Sequence, residues 1–305
     1  MKLGEWIPVW LRCYKYGTMK QSSYHQLENL IKHIPSSLME QEMDEILPMD
    51  LQAFVNSFAT YASKSYMDKM RVLIHSVWAT ALDNQKCTTN PSKAVRFPVI
   101  PEKPRESFRS EDAKTILTYA LQYDNRMVGV AVMTLLLTGI RRGELLGLKW
   151  SDLSNTTLSI NRGVYLENGH PCVREYVAKT SSSIRVVPLL PELAYYLSSL
   201  PRTCEFIFCT KNRTIISPRN FSRSYTAFFR HLNEDCCCTA YLSPHCCRHT
   251  FASLCLDAGA DVRTVQQLLG HGDIRSTSRY VHPQIETLQN AVSDMRDFIV
   301  DRSYA

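Results

Sequence analysis

The sequence predicts a mainly α-helical protein with a small antiparallel β-sheet, divided into a helical first domain and an α+β second domain. Three observations predict it. Apolar residues recur at helical spacing through most of the chain. Strand-like alternation is confined to one stretch between about residues 158 and 189. A proline- and charge-rich seam, Phe97–Arg109 (FPVIPEKPRESFR), separates two regions of different character. The expected boundaries are a first domain over 1–97, a linker over 98–109 and a second domain over 110–305. With 305 residues, each domain is long enough to bury its own core.

Before the seam, helices are expected at Glu5–Lys15, Ser22–His33, Asp50–Ala62 and Ser65–Asn84. The last is the most informative, because Met67, Met70, Ile74, Val77 and Ala81 form one apolar stripe. Lys64, Arg71 and His75 lie along another edge, readable as a solvated face or as a strip of phosphate contacts. After the seam, helices are expected at Ser110–Gln122 and Arg126–Leu137, the latter buried. The β-stretch follows: Leu158 and Ile160 alternate with polar residues, Asn168-Gly169 marks a hairpin turn, and Val173–Lys179 and Ile184–Leu189 are strand-like. Helices resume at Pro191–Leu200, Arg219–Leu232, His245–Ala258 and Val262–Leu269. A final amphipathic segment aligns Leu288, Val292, Met295 and Ile299.

Composition narrows the function classes. The chain is 45% hydrophobic and 21% charged, with a formal net charge of +6, compatible with a polyanionic partner. Residues 1–100 hold 11 Lys and Arg against 9 Asp and Glu, so most of the surplus lies later. The 11 cysteines are odd in number and irregularly spaced, with five inside Cys236–Cys247. That argues for reduced thiols in a cytoplasmic protein rather than a secreted disulfide scaffold. Met1–Trp10 has no long apolar core for a signal peptide, and the apolar run Met127–Leu137 is too short to span a bilayer.

Four stretches concentrate phosphate-binding side chains. In TGIRRGE, Gly139 ends a helix and Arg141 projects from the turn; pairing of Arg141 with Glu144 is the structural alternative. In AKTSSS, Lys179 sits at a strand end, either solvated or a proton donor to a site. In HCCRH, helical spacing puts His245, Arg248 and His249 on one face. These three groups repel one another unless an anion lies between them, and a phosphate suits the guanidinium fork. Finally, LLGHGDI is followed by STSRYVH, placing Tyr280 nine residues after a glycine-flanked His271.

Taken together, this ordered set (Arg, Lys, His-x-x-Arg, His, Tyr) resembles the tyrosine recombinases of the lambda-integrase type. It looks most like the integrases of phages and integrative mobile elements. The resemblance spans nearly the whole chain. It implies a helical, SAM-like core-binding domain over 1–97 and an α+β catalytic domain over 110–305 with a helical tail. It implies that Arg141 and Arg248 clamp the scissile phosphate, that Lys179 protonates the leaving 5′ oxygen, and that His245 and His271 bond the phosphate and assist proton transfer. Tyr280 would be the nucleophile that forms a 3′-phosphotyrosyl link, with no metal, cofactor or ATP. The chemistry is coherent. A phenol with a pKa of about 10 is mostly protonated at neutral pH, and preorganised cationic donors stabilise both the phenolate and the charge developing on phosphorus.

The implied partners are a double-stranded DNA recombination site, three further copies of the chain in a homotetramer docked through the tail Leu288–Ile299, and an excisionase-type accessory protein. Lys64, Arg71 and His75 would contact the backbone from the first domain, the two domains forming a clamp. No segment that fits a separate arm-binding domain precedes the helical region, which suits a simple recombinase or a truncated or alternatively started integrase.

Rival readings are weaker. His245 and His249 have the spacing of a zinc-protease helix, but Cys246 stands where that motif needs Glu. The clustered cysteines lack C-x2–4-C spacing. Metal-dependent transposases need clustered carboxylates, and Glu144 and Asp273 are isolated. A type IB topoisomerase, a Xer-like resolvase and a catalytically silent DNA-binding regulator are the remaining alternatives. The filled catalytic positions argue against the last.

Overall fold

Helices dominate the computed structural model, which describes residues 1–101, 106–167, 169–176, 184–236 and 241–270. The chain divides into two units, Met1–Pro104 and Arg105–Ala305.

In the first unit, α1 (Leu3–Trp10) runs on through a π-helical turn, Leu11–Lys15, so the expected Glu5–Lys15 helix is present in two geometries. It is followed by α2 (Gln21–Ile31), the short α3 (Ser36–Met39), α4 (Pro48–Asn56) and α5 (Lys64–Asp83). Helix α4 starts where Pro48 occupies a first-turn position and Asp50 accepts from Leu47 N at 2.9 Å. It ends at Asn56, short of the expected Ala62. Helix α5 is nucleated by Ser63, whose hydroxyl accepts from Tyr66 N at 3.2 Å. The predicted stripe is buried, joined by Leu73 and Trp78. Trp6 of α1 is fixed against it by an Nε1–H bond to Val77 O at 3.1 Å.

The second unit opens with α6 (Ser110–Gln122) and α7 (Arg126–Thr138). Helix α7 is buried from Val128 to Leu136, as its apolar sequence requires. Gly129 allows α6 to lie against it, since a Cβ there would stand 2.2 Å from Ala120 O. A five-residue helix, α8 (Arg142–Leu146), follows immediately. The β-stretch comprises β1 (Thr157–Ile160), β2 (Arg162–Glu167), β3 (His170–Glu175) and β4 (Arg185–Pro188). Among the described residues these form two separate antiparallel ladders, β1–β4 and β2–β3. The β2–β3 hairpin closes as the Asn168-Gly169 signal predicts, with Gly169 at φ +83°; Asn168 itself lies outside the described residues. Strand β1 pairs with β4 rather than with its neighbour, Leu158 facing Val187 and Ile160 facing Arg185.

Four helices complete the described unit: α9 (Pro191–Ser198), α10 (Pro218–Cys236), α11 (Pro244–Asp257) and α12 (Val262–Leu269). Helix α10 buries Phe221, Tyr225, Phe228, Phe229 and Leu232 at spacings of three and four residues. Asp261 caps α12, accepting from Arg263 N at 2.8 Å and Thr264 N at 3.1 Å.

The seam is shorter than its composition suggests, because aromatic residues anchor it at both ends. Phe97 packs on the first core. Phe108 is buried in the second, stacked on Phe229 at 5.5 Å, with its N–H bonded to Thr250 Oγ1 at 2.8 Å. No helix among the described residues is long and apolar enough to cross a membrane.

Candidate active site

Helix α7 ends at Gly139, whose φ of +62° is a left-handed cap. No other residue fits there: a Cβ would lie 2.5 Å from Phe251 Cδ1 and 2.8 Å from Leu269 Cδ2. The turn delivers Arg141 to the start of α8. There Glu144 reaches back and accepts from Arg141 N at 2.8 Å and from Arg141 Nη1 at 2.7 Å. The structural alternative read from the sequence, an Arg141–Glu144 pair, is therefore present. It does not remove Arg141 from the site, because the guanidinium also lines a cleft.

Glu144 is wholly buried and carries a second arginine. Arg185 of β4 donates from Nη2 to Oε2 at 2.8 Å and from Nη1 to Oε1 at 3.2 Å. Burial pushes this carboxyl up. The hydrogen bond from Arg185 and the charges of Arg185 and Arg141 outweigh it and hold Glu144 below its ordinary range, hence ionised.

Helix α11 supplies the next group. Arg248 is 1% exposed. Its Nη1 donates to Gly139 O at 2.8 Å and its Nη2 donates to Leu269 O. His245 is exposed in the first turn of α11, while His249 is buried, their rings edge-to-face at 4.7 Å. On the HCCRH face backbone carbonyls from two helix ends accept from Arg248 Nη1 and Nη2, and the two histidines differ in burial. Helix ends provide such carbonyls because their last turns lack intrahelical partners.

These elements frame an open cleft of about 350 Å³. Arg141, Arg142 and Glu144 line one side, Val164, Tyr165 and Tyr176 another, and Ser243, Pro244 and His245 at the start of α11 a third; Arg248 also lines it. A helix N-terminus favours an anion in front of it. The Tyr165 and Tyr176 hydroxyls lie 3.3 Å apart. Burial and that hydrogen bond push the Tyr176 phenol well above its usual value, so it stays protonated. Sequence reading missed Arg185, Tyr165 and Tyr176. The only signal for Arg185 was a basic residue opening the RVVP strand.

The structure thus brings Arg141, His245 and Arg248 together at one cleft. Lys179, His271, Tyr280 and the tail Leu288–Ile299 lie outside the described residues. In the first unit, Lys64 and Arg71 are exposed on α5 and His75 is half-buried. The Arg71 guanidinium lies 5.0 Å from the Phe97 ring and His75 Nδ1 is 3.1 Å from Ser92 Oγ, so both have intramolecular partners. Cys247 packs in the core beside Tyr225 Oη at 3.2 Å, and burial pushes its thiol up to about 12.

Comparison with known proteins decides the family. Residues 106–287 match the model of the phage integrase family, and residues 2–59 match its N-terminal SAM-like domain. The chain belongs to the phage integrase family. It is a tyrosine-type site-specific recombinase, an enzyme that cleaves and rejoins DNA. Among curated relatives, a XerC-like tyrosine recombinase of Caldanaerobacter subterraneus is 25% identical over 98% of this chain and 83% of its own length. XerD of Rickettsia conorii is 28% identical over 72% of this chain and 73% of its own. Among solved structures, the Tn1549 transposon integrase bound to transposon right-end DNA is 17% identical. It superposes with a TM-score of 0.78 over 96% of this chain and 99% of that one. A lambda integrase dimer on a core site is 18% identical, with a TM-score of 0.69 over 92% and 95%. These two likenesses establish a common fold. The phage integrase fold accounts for the mostly helical architecture and the small antiparallel β component described above.

Proposed function

We propose that this recombinase cleaves one strand of a duplex recombination site by attack of Tyr280 on a phosphodiester held by Arg141 and Arg248. The Tyr280 oxygen bonds to phosphorus, the P–O5′ bond breaks, and a 3′-phosphotyrosyl ester and a free 5′-hydroxyl result. Lys179 delivers the proton to the 5′ oxygen. His245 and His271 bond the phosphate and carry protons. Attack by a 5′-hydroxyl reverses the step and releases Tyr280, so the ester conserves the bond energy and no ATP is consumed.

One observation carries this reading: among the described residues that line the cleft, Arg141, Arg142 and Arg248 stand against a single carboxylate, Glu144, a surplus of basic side chains where the resemblance puts the scissile phosphate. Preorganised cationic donors of this kind are worth roughly 3 kcal/mol each in transition-state stabilisation. Core-site recognition by residues 1–97, with Lys64, Arg71 and His75 on the backbone, and tetramer assembly through Leu288–Ile299 belong to the same proposal. So do an excisionase-type partner, a mobile element as the unit moved, and a cytoplasmic setting in which the described cysteines stay free. A Xer-like resolvase is the second reading, favoured by the full-length similarity to a XerC-like recombinase.

The test is covalent trapping. Wild-type protein incubated with DNA carrying its site forms an adduct that survives denaturation and is lost on protease digestion. Tyr280→Phe binds the same DNA and forms none; strand cleavage surviving in that variant sinks the mechanism.

A further inference from the structure

Arg185 takes no part in the steps above, yet it binds Glu144, a residue that lines the cleft. Its side chain is 6% exposed. Nε donates to Leu268 O at 2.7 Å, while Nη1 and Nη2 reach the two oxygens of Glu144 at 3.2 and 2.8 Å. Those oxygens are the ones that receive Arg141 Nη1 and Arg141 N.

The C-terminal turn of α12 shows a second regularity. Its three successive carbonyls each go to a different arginine: Leu268 O to Arg185, Leu269 O to Arg248 and Gly270 O to Arg141, the last at 3.3 Å. The three arginines come from β4, α11 and the turn before α8. Carbonyls at a helix C-terminus have no intrahelical donor, so they are strong acceptors that hold a guanidinium without cancelling its charge. Gly270 is followed directly by His271, and Arg185 stands six residues after Lys179. Arg185 therefore ties together strand β4, the helix end before His271 and the carboxylate paired with Arg141.

Electrostatics gives this link a purpose. A buried Glu144 paired with Arg141 alone would neutralise it and draw it away from the cleft. Arg185 meets the same carboxylate through two N–H groups, which fixes its plane and shares its charge. The hydrogen bond from Arg185 is the largest influence keeping Glu144 ionised against its burial.

We infer that Arg185 is a positioning residue for strand cleavage: by holding Glu144 and the α12 carbonyls, it fixes Arg141 toward the scissile phosphate with its positive charge in surplus. This rests on the assignment of Arg141 to the phosphate.

The experiment is single-turnover cleavage of a suicide duplex, at saturating protein, on a site selected from random DNA by covalent capture with the wild-type protein. Arg185→Gln is expected to slow cleavage about 30-fold or more while DNA affinity changes less than about threefold, the signature of an interaction that matters in the transition state. Arg185→Lys keeps the buried charge but cannot bridge two oxygens and Leu268 O; it recovers part of the rate, remaining about tenfold slow. In an Arg141→Lys background, adding Arg185→Gln costs less than about threefold, because residues that act through one another are non-additive. Cleavage by Arg185→Gln at the wild-type rate, or an undiminished loss in the Arg141→Lys background, overturns the inference. If Arg185→Gln does not fold, Arg185→Lys carries the comparison, and a wild-type rate there overturns it. A readout without DNA stands beside these: the Arg141 guanidinium signals in 15N–1H spectra, assigned with Arg141→Lys, shift in Arg185→Lys, and unchanged signals contradict the link. A wild-type protein that captures no DNA tells against the Tyr280 assignment instead, and leaves the spectroscopic test in force.

Discussion

Two arginine clusters lie in the second unit, and they are built in opposite ways. Arg162 pairs with both Asp152 and Glu175, so acids outnumber the base. Asp152 also takes Lys149 N at 2.8 Å, and the cluster closes on itself at the foot of the β2–β3 hairpin. At the cleft the ratio is reversed: Glu144 is the one carboxylate among the described residues that line it, it pairs with both Arg141 and Arg185, and backbone carbonyls accept from Arg141, Arg185 and Arg248. Carboxylates neutralise a guanidinium, whereas carbonyls only aim it. Buried charge is costly unless paired, so an excess of basic side chains over carboxylates among the described lining residues suits the incoming phosphate proposed above. Charge balance, rather than the number of arginines, separates the scaffold from the site.

The contrast breaks most readily at Arg248. Arg248→Ala removes the donor that Gly139 O and Leu269 O accept from and takes away one of the two proposed phosphate ligands; cleavage per folded molecule should fall by roughly 10²–10³, read in single-turnover assays. Retention of the wild-type rate would make Arg248 a helix clamp only. Arg162→Met is the counterpart. Asp152 is left buried without its cation, and urea melts should show a loss of about 3–5 kcal/mol, with cleavage by the folded fraction unchanged. A specific loss of cleavage there would erase the distinction between the clusters. Gly139→Ala tests the turn that feeds the cleft. Left-handed strain of roughly 1–2 kcal/mol adds to the clash with Phe251 and Leu269, giving about 2–4 kcal/mol of destabilisation in the same melts. The smallest effect belongs to the first unit. Arg71→Ala should weaken DNA binding uniformly across sequences and reduce the salt slope of log K by about 0.9 if it contacts one phosphate. An unchanged slope assigns Arg71 to its intramolecular partners, Phe97 and Asp68.

Periodicity made the helices legible. Ser110–Gln122 and Val262–Leu269 coincide with α6 and α12, and the α5 stripe is buried residue for residue. The Arg141 turn was legible from Gly139, because a left-handed cap leaves a glycine in the sequence. The pairing of β1 with β4 was not, since strand order depends on contacts between residues far apart in the chain. Nor was the role of Arg185: its partners are Glu144, 41 positions away, and the carbonyl of Leu268, and a carbonyl acceptor leaves no mark in a sequence. The HCCRH pattern was legible only in part, because the carbonyls of Gly139 and Leu269 that accept from Arg248 leave no mark in the sequence. The ordered motif set identified the chemistry; the physical coupling among its members appears only once the helix ends meet.

The central claim is that the charge surplus at the cleft exists to offset the charge of a phosphate. Replacing the scissile phosphate by a neutral methylphosphonate tests it most directly, with Arg141→Ala compared against wild type on both substrates in the covalent-adduct assay. The account predicts a loss of roughly 10² or more on the phosphodiester that shrinks to less than about tenfold on the neutral ester, because the charge to be offset is gone. An equal loss on both substrates would contradict it and assign Arg141 to shaping the cleft alone.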